Sequence, residues 1–256
     1  MTRTTLIATV AALAMVTGAC KDKGAAGNAN TTTAASSDAP IAVTPPADGD
    51  WTKLTRQTAE GGIMMGNPNA KVKFVEFGSL TCSHCAEFAE RDAPGLIAKY
   101  VKTGKVSFEY RNYVRDQLDI TASLITRCNG PATFFPLLDQ MYAEQRAMFE
   151  RFQAVPQAQQ QALMALPAPQ QFQQIATMAG LTTWAAQRGI PSAKLQQCVT
   201  NQTEIDRLVQ MNSDATSQYQ PQGTPAFLLN GALLDLPAGK PQKDTLSAIF
   251  DKALAG

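Results

Sequence analysis

An apolar strand that runs directly into a Cys-x-x-Cys motif is the feature that most constrains this chain. Residues 70–81, AKVKFVEFGSLT, read as a strand followed by a short Gly/Ser/Thr loop. Phe74, Val75 and Phe77 leave little room for a solvated face, so we expect the strand in the middle of a sheet covered by helices. The motif Cys82-Ser83-His84-Cys85 follows the loop at the start of a helix, and it contains the only histidine of the chain.

The order of predicted elements around this motif describes a sheet interrupted by helices. The first strand is followed by an amphipathic helix, kinked at Pro94, and by a second strand at 105–110, an order that implies parallel pairing. Helical periodicity over residues 119–219 predicts four to six helices. Asn230-Gly231, between two apolar runs, predicts a type I′ hairpin, and an amphipathic helix follows it.

The first 50 residues predict export and a membrane tether. The apolar run at 6–16 is too short to span a bilayer and is typical of a signal peptide. The small residues 17–19 precede Cys20, which resembles the lipobox of bacterial lipoproteins and implies cleavage before Cys20 and lipid on its sulfur. An ordinary signal peptide is the alternative. We expect a signal peptide at 1–19, then lipidated Cys20 and a disordered linker at 20–50, in a periplasmic, membrane-anchored protein.

The charge balance argues against a nucleic-acid partner. The chain has 22 basic and 21 acidic residues, so it exerts no general attraction on polyanions. It also has no basic block with interleaved aromatic residues. We therefore expect no nucleic-acid binding.

The five cysteines divide by position. If Cys20 carries lipid, four remain, and four allow three pairings. The neighbours Cys82 and Cys85 leave Cys128 to pair with Cys198, since an exported protein can keep disulfides. Two separate buried thiols are the alternative. Nothing polar accompanies either residue of the second pair, so we expect it to be structural.

The position of the Cys-x-x-Cys motif predicts redox chemistry. A sulfur at a helix N-terminus lies beside free N–H groups, which favour the thiolate of Cys82. His84, as imidazolium, would add a positive charge nearby. A stabilised thiolate favours the reduced motif and therefore predicts an oxidant. Cys85, one turn further on, would be the buried resolving thiol.

The residues around the motif resemble the DsbA-like thiol:disulfide oxidoreductases. The resemblance is carried by MGNPNA at 65–70, VEF at 75–77, Ser79, the Cys-x-x-Cys motif with Phe88, and GTPA at 223–226. It implies an α/β, thioredoxin-like fold with an inserted α-helical domain, in agreement with the order of elements. The thioredoxin domain would then comprise residues 51–118 and 220–256, and the insertion residues 119–219.

The resemblance also implies roles for single residues. Cys82 would attack and bind the substrate, Cys85 would resolve the mixed disulfide, and His84 would stabilise the thiolate. Glu76 would be the buried acid that accepts a proton from Cys85; a solvated carboxylate on an edge strand is the alternative.

The same resemblance predicts the substrate-binding residues. Pro225 would be a cis-proline that faces the motif, and Thr224 would offer its backbone to an extended peptide. We include Ser83, in the spacer of the motif, in the expected substrate-binding set. Ser83 stands where proline is familiar in the oxidases of gut bacteria.

We expect an oxidase that introduces disulfides into reduced exported proteins. Thr224 is also seen in isomerase and reductase relatives, which are the alternatives on the same fold. Disulfide isomerases carry an N-terminal dimerisation domain, and residues 21–50 are too short and too poor in apolar residues to form one. The expectation is therefore a monomer without cofactor or metal, reoxidised by a membrane quinone-linked partner.

Two further interpretations of the motif stay open. Cys82, His84 and Cys85 could hold a metal in a non-enzymatic lipoprotein, although structural zinc usually takes four ligands and the chain has no second histidine. The two cysteines could also form a plain structural disulfide. A bridge across two residues at a helix start is tight and easily reduced, which suits a catalyst better.

Overall fold

Six strands form one mixed sheet in the computed structural model, which describes residues 41–236 and 242–256. The strands are Thr55–Gln57 (β1), Ile63–Met65 (β2), Val72–Gly78 (β3), Val106–Asn112 (β4), Ala226–Leu229 (β5) and Ala232–Leu233 (β6). Their order across the sheet is β1-β2-β4-β3-β5-β6. The strand that precedes the Cys-x-x-Cys motif is therefore an interior strand, as predicted.

β3 owes its central place to its apolar composition. Every residue of the strand except Lys73 is buried. It pairs in parallel with β4, which confirms the predicted pairing, and antiparallel with β5. The rings of Phe74, Phe108 and Phe227 stack across the three strands, with centroids 5.6 and 5.2 Å apart. Each such pair contributes roughly 0.5–1.5 kcal/mol beyond its buried area.

The helix that follows the motif is irregular. It consists of the α-helix Ser83–Glu87 (α1), the π-helical turn Phe88–Asp92, the α-helix Ala93–Leu96 (α2) and a second π-helical turn, Ile97–Val101. Pro94 stands in the first turn of α2, and it has no N–H to donate to the carbonyl four residues earlier. The π-helical turn directly before α2 accommodates the break that this proline predicts.

Seven helices lie between residues 117 and 218, a range that the structure describes throughout. They are Gln117–Arg127 (α3), Pro131–Gln153 (α4), Gln157–Met164 (α5), Ala168–Met178 (α6), Leu181–Ala186 (α7), Ser192–Val199 (α8) and Gln202–Gln218 (α9). The expected four to six is too low. Pro167 separates α5 from α6 within one Gln/Ala-rich stretch, and α7 is too short for periodicity to reveal it.

One disulfide bond and one buried arginine hold these helices in place. Cys128, which follows α3, is disulfide-bonded to Cys198 in α8. The buried guanidinium of Arg127 donates to Asn112 Oδ1 at the end of β4 and to Glu204 Oε2 in α9, at 3.2 and 3.0 Å. Because a buried charge is costly when its partner is lost, Arg127 fixes the helices against the sheet.

The C-terminal part returns to the sheet as predicted. Asn230 and Gly231 connect β5 to β6 with φ angles of 48° and 84°, the two positive values that a type I′ turn requires. The last helix, Gln242–Ala255 (α10), buries Leu246 and Phe250 in the main core. The predicted amphipathic helix is thereby confirmed.

Two strands were not expected from the sequence. β1 and β2 have three residues each, which is too short to show the alternation of a strand. All three residues of β2 are buried, and β2 pairs antiparallel with β4. The sheet therefore extends on this side beyond the two predicted parallel strands.

The predicted signal peptide at 1–19, Cys20 and the linker up to residue 40 lie outside the described residues. Residues 41–50 form neither helix nor strand. Within the described part of the chain, no helix has both the length and the apolar character needed to cross a membrane.

Replacing both Cys128 and Cys198 with alanine is expected to lower the free energy of unfolding by about 4 kcal/mol, because the bridge restricts the unfolded chain. The two residues are 70 positions apart in the chain, so the restricted loop is long. Urea unfolding of the wild type and the double variant measures the difference. Wild type unfolded with a thiol reductant is the control and should resemble the variant. An unchanged midpoint would contradict a stabilising role.

Candidate active site

Cys82 and Cys85 lie at the start of the helix that follows β3, and both carry free thiols. Cys82 is the N-cap residue of α1, and Cys85 lies inside its first turn. The loop before them turns tightly, because the N–H of Cys82 donates to the carbonyl of Ser79 at 3.1 Å. Cys85 is fully buried and Cys82 is 4% exposed. The sulfur nearer to the surface is therefore that of Cys82.

The two thiols differ strongly in acidity. A hydrogen bond from the Cys85 thiol is the main cause that lowers the pKa of Cys82 from 9.0 to about 5, and Thr224 and the N–H groups of Cys85 and His84 contribute. Burial raises the pKa of Cys85 well above its usual value, and Cys82 and Glu76 raise it further. At neutral pH the site therefore holds a Cys82 thiolate, the nucleophilic form, beside a protonated Cys85.

Thr224 contacts Cys82, although the two residues are far apart in the sequence. The Thr224–Pro225 peptide bond is cis and directly precedes β5. Ala226 of β5 pairs with Phe77 of β3, which brings the Thr224 carbonyl oxygen within 3.2 Å of Cys82 Sγ. The protonated Cys82 thiol donates to that oxygen. The Thr224 hydroxyl is buried without a hydrogen-bond partner among the described residues, so it can donate to the thiolate once Cys82 ionises.

The spacer residues Ser83 and His84 face solvent. The His84 side chain is 78% exposed, and its Nδ1 lies 3.9 Å from Glu87 Oε2. His84 lowers the pKa of Cys82 through its backbone N–H. The sequence led us to expect this effect from the imidazole charge, whereas here the backbone provides it. Ser83, the first residue of α1, is also exposed, next to Cys82.

Glu76 is a buried acid in the middle of β3. Its side chain is not a solvated edge carboxylate, because the residue is only 3% exposed and β3 is an interior strand. Burial raises its pKa well above the usual value, and Cys82 and Asp139 raise it further. Its Oε1 has no hydrogen-bond partner within the described structure. A protonated Glu76 near Cys85 can therefore exchange a proton with that thiol.

Two tyrosines lie on the buried side of Glu76. Tyr110 pairs with Glu76 across the parallel β3–β4 ladder, so both side chains share one face of the sheet. The hydroxyl oxygens of Tyr110 and Tyr142 are 2.7 Å apart, and burial raises the pKa of both phenols well above 10. A side chain at Gly78 would overlap the Tyr110 ring, which explains the glycine. On this side, Glu76 therefore faces neutral hydroxyls.

Two residues that the sequence did not indicate also contact the site. Asp119 in α3 is fully buried, and it accepts hydrogen bonds from Ser79 Oγ and Leu80 N at 2.5 and 2.9 Å. Gln145 in α4 donates to the carbonyls of Leu80 and Cys82 at 2.9 and 3.0 Å. An acid inside the apolar sequence LDI was the available signal for Asp119. Gln145 lies in a stretch with many polar residues, so nothing singled it out.

Comparison with known proteins identifies related sequences and folds. A family model described as Thioredoxin matches residues 58–252. A solved protein-disulfide isomerase from Novosphingobium aromaticivorans is 31% identical, with a TM-score of 0.68 over 73% of this chain and 96% of the other. The alpha-DsbA1 of Wolbachia pipientis is 18% identical, with a TM-score of 0.59 over 78% of this chain and 94% of its own. The Wolbachia protein shows similarity of fold alone.

Curated relatives come from Rickettsia species. One from Rickettsia conorii, named "Putative protein-disulfide oxidoreductase", is 25% identical over 205 residues, and another from Rickettsia felis is 23% identical over 205 residues. Each match covers 79% of this chain, and 64% and 63% of the respective relatives. The chain thus spans less than two thirds of the length of these relatives.

Thr224→Val is expected to raise the pKa of Cys82 from about 5 toward 9.0, because it removes a donor to the thiolate while conserving side-chain volume. The ultraviolet absorbance of the thiolate, followed against pH, gives the pKa. In the wild type, the main rise in the rate of Cys82 alkylation should be centred near pH 5. Thr200→Val, the same substitution in a residue next to α8, is the control. Equal pKa values in all three proteins would contradict the assigned contact.

Proposed function

The chain belongs to the thioredoxin family, and we propose that it is a thiol:disulfide oxidoreductase that introduces disulfides into reduced proteins. Its fold is the thioredoxin-like sheet with a helical insertion found in DsbA-like proteins. One observation carries the proposal: Cys82, with a lowered pKa, lies beside a buried Cys85 with a raised pKa. Disulfide exchange needs this pair, since one sulfur bonds to the substrate and the other resolves the intermediate.

The reaction begins with the Cys82–Cys85 disulfide. A substrate thiolate attacks Cys82 Sγ, the mixed disulfide forms, and Cys85 leaves as a thiolate. Glu76 protonates this buried thiolate, because the pKa of Cys85 is raised by its surroundings. A second substrate thiolate then attacks the substrate sulfur of the mixed disulfide and releases Cys82. The substrate loses two electrons, and the motif gains them as a Cys82 thiolate and a Cys85 thiol.

The acidity of Cys82 favours this direction. Each unit by which its pKa falls stabilises the reduced form by about 1.4 kcal/mol, or roughly 30 mV toward oxidising power. A thiolate with a pKa of about 5 is also a good leaving group in the last step. The disulfide of the motif is therefore readily transferred to a substrate.

Disulfide isomerisation is the second candidate. The solved relative from Novosphingobium aromaticivorans is named a protein-disulfide isomerase. An isomerase uses the same Cys82 thiolate, which attacks a wrong disulfide in the substrate and leaves after rearrangement. A reductase would use the same two sulfurs with the opposite net electron flow. The acidity of Cys82 gives oxidation the preference.

A non-enzymatic metal site is a weaker candidate. His84 faces solvent beside Glu87, whereas Cys85 is fully buried, so their side chains point to different surroundings. Over residues 41–236 and 242–256, no three His, Cys, Asp or Glu side chains are grouped as metal ligands. The geometry therefore favours sulfur exchange at the motif.

The proposal includes a location and partners. The signal-peptide pattern and Cys20 support a periplasmic protein held at a membrane by lipid, where reduced exported proteins would be its substrates. Each turnover leaves two electrons on Cys82 and Cys85. A membrane quinone-linked reoxidase would remove them, and the protein would act as a monomer. Ser83 follows Cys82 in the chain and the Thr224 carbonyl lies at its sulfur, so these two residues and Pro225 would contact the substrate peptide.

Oxidative refolding tests the direction of the reaction. The oxidised protein should convert a reduced, unfolded substrate protein to its active disulfide-bonded form, and it should act poorly on a scrambled, fully oxidised substrate. Cys82→Ser should abolish both activities, because it removes the attacking sulfur. Rescue of the scrambled substrate without oxidation of the reduced one would make the protein an isomerase.

Cys85→Ser is expected to trap mixed disulfides between Cys82 and substrate proteins, because Cys85, which attacks Cys82 Sγ in the reverse of the first step, is no longer there to release them. The trapped species are measured on non-reducing gels of extracts from cells that express the variant. The double variant Cys82→Ser/Cys85→Ser is the control and should trap none. If Cys85→Ser traps nothing while Cys82 is readily alkylated, the motif is structural.

A further inference from the structure

The loop between β3 and α1, residues 79–82, is fully hydrogen-bonded although it belongs to no strand or helix. Each of its backbone N–H and carbonyl groups has a partner. Some of these partners belong to the loop itself or to the first turn of α1. The others are side chains of α3, of α4 and of the residues before α3, which belong to the predicted insertion or border it.

Asp119 binds two backbone N–H groups of the loop, directly or through Ser79. Its Oδ1 accepts from Leu80 N at 2.9 Å, and its Oδ2 accepts from Ser79 Oγ at 2.5 Å and from Arg115 N at 3.1 Å. Ser79 Oγ in turn accepts from Thr81 N at 3.2 Å. One buried carboxylate thereby fixes two consecutive N–H groups of the loop, the first directly and the second through Ser79.

Gln145 binds backbone carbonyl groups of the loop. Its Nε2 donates to the carbonyls of Leu80 and Cys82, and Arg115 Nη2 donates to the carbonyl of Thr81 at 3.1 Å. Leu80 is therefore held through its N–H by α3 and through its carbonyl by α4. Hydrogen bonds weaken steeply away from linear geometry, so two opposed contacts fix the orientation of both peptide planes around Leu80.

We propose that Asp119 and Gln145 are positioning residues that act through the loop 79–82 to set the acidity of Cys82. This inference rests on the proposed function and assigns the helical insertion a part in the redox site. Cys82 is the last residue of the loop, and its ionised sulfur is stabilised by the Cys85 thiol, by Thr224 and by the N–H groups of Cys85 and His84. A small displacement of the loop moves the sulfur away from these fixed donors.

The surroundings of Asp119 make the contact sensitive to pH. Burial raises the pKa of Asp119 to about 7, against the hydrogen bonds from Ser79, Leu80 and Arg115 that lower it. The charged or titratable groups that face it are Asp116 and Arg115 just before α3, and Tyr110 on β4. From the loop, the neutral hydroxyls of Ser79 and Thr81 face it, and α4 contributes neutral Gln145 to the same loop.

The sign follows from the hydrogen bonds. Above pH 7 the ionised carboxylate of Asp119 accepts from all its donors, and below pH 7 its bound proton occupies one acceptor position. The loop is therefore held more firmly above pH 7. We expect the alkylation rate of Cys82 to show a second inflection near pH 7, apart from the ionisation of Cys82 itself near pH 5.

Asp119→Asn and Gln145→Leu are expected to raise the pKa of Cys82 by about one unit or more. The equilibrium constant with glutathione should then shift about tenfold toward the oxidised motif, since a unit of Cys82 pKa corresponds to about 1.4 kcal/mol. Asp119→Asn should also abolish the inflection near pH 7. Glu204→Gln is the matched control, because it breaks a contact of α9 with the buried Arg127 and leaves the loop untouched.

Thiolate titration and alkylation kinetics on the reduced full-length proteins give the result. A wild-type pKa of Cys82 in both loop variants, with stability lowered as in Glu204→Gln, would overturn the inference. If Asp119→Asn does not fold, Ser79→Ala and Gln145→Leu decide the question by the same criterion. The oxidation assay is run on the wild type in parallel. A wild type without oxidase activity rejects the proposed function and leaves the pKa comparison valid.

Discussion

The antiparallel pairing of β5 with β3 is the contact on which the redox site depends. β3 ends in the loop that leads to Cys82, and β5 begins directly after Pro225. Pairing the start of one strand with the end of the other brings Thr224 to Cys82 Sγ across 142 residues of sequence. The aromatic stack between the strands and the helix α10 secures this pairing. The site is therefore attached to two paired strands of the sheet.

Burial and hydrogen bonding shift the pKa values of the groups in the site in opposite directions. Glu76, Cys85 and Asp119 are all buried, and burial raises the pKa of each. Cys82 is the exception, because hydrogen-bond donors around its sulfur lower its pKa by more than burial raises it. At neutral pH the site thus keeps a negative charge at Cys82, while burial favours the protonated forms of Glu76 and Cys85. Disulfide exchange would use this separation, since protonation of the buried thiolate that leaves keeps it from attacking back, while Cys82 is stable as a thiolate.

The sequence predicted those parts of the fold that are encoded locally. The interior strand, the parallel second strand, the Asn230-Gly231 turn and the last helix could be identified because their apolar patterns or turn residues are complete within a short segment. β1, β2 and the helix α7 could not, because three to six residues show no period. The number of helices between residues 117 and 218 was underestimated for the same reason.

The sequence by itself determined the Cys-x-x-Cys motif and its place at a strand–helix junction, because these features are contiguous. The buried acid in the preceding strand came from the family resemblance, since the strand alone left a solvated carboxylate open. Only the tertiary structure decided which groups lower the pKa of Cys82. The imidazole of His84 lies near Glu87, and it is the backbone N–H of His84 that lowers the pKa of Cys82. The tertiary structure also brought Asp119 and Gln145 onto the loop before the motif, because side-chain hydrogen bonds between distant helices follow from packing, which no short segment of sequence encodes.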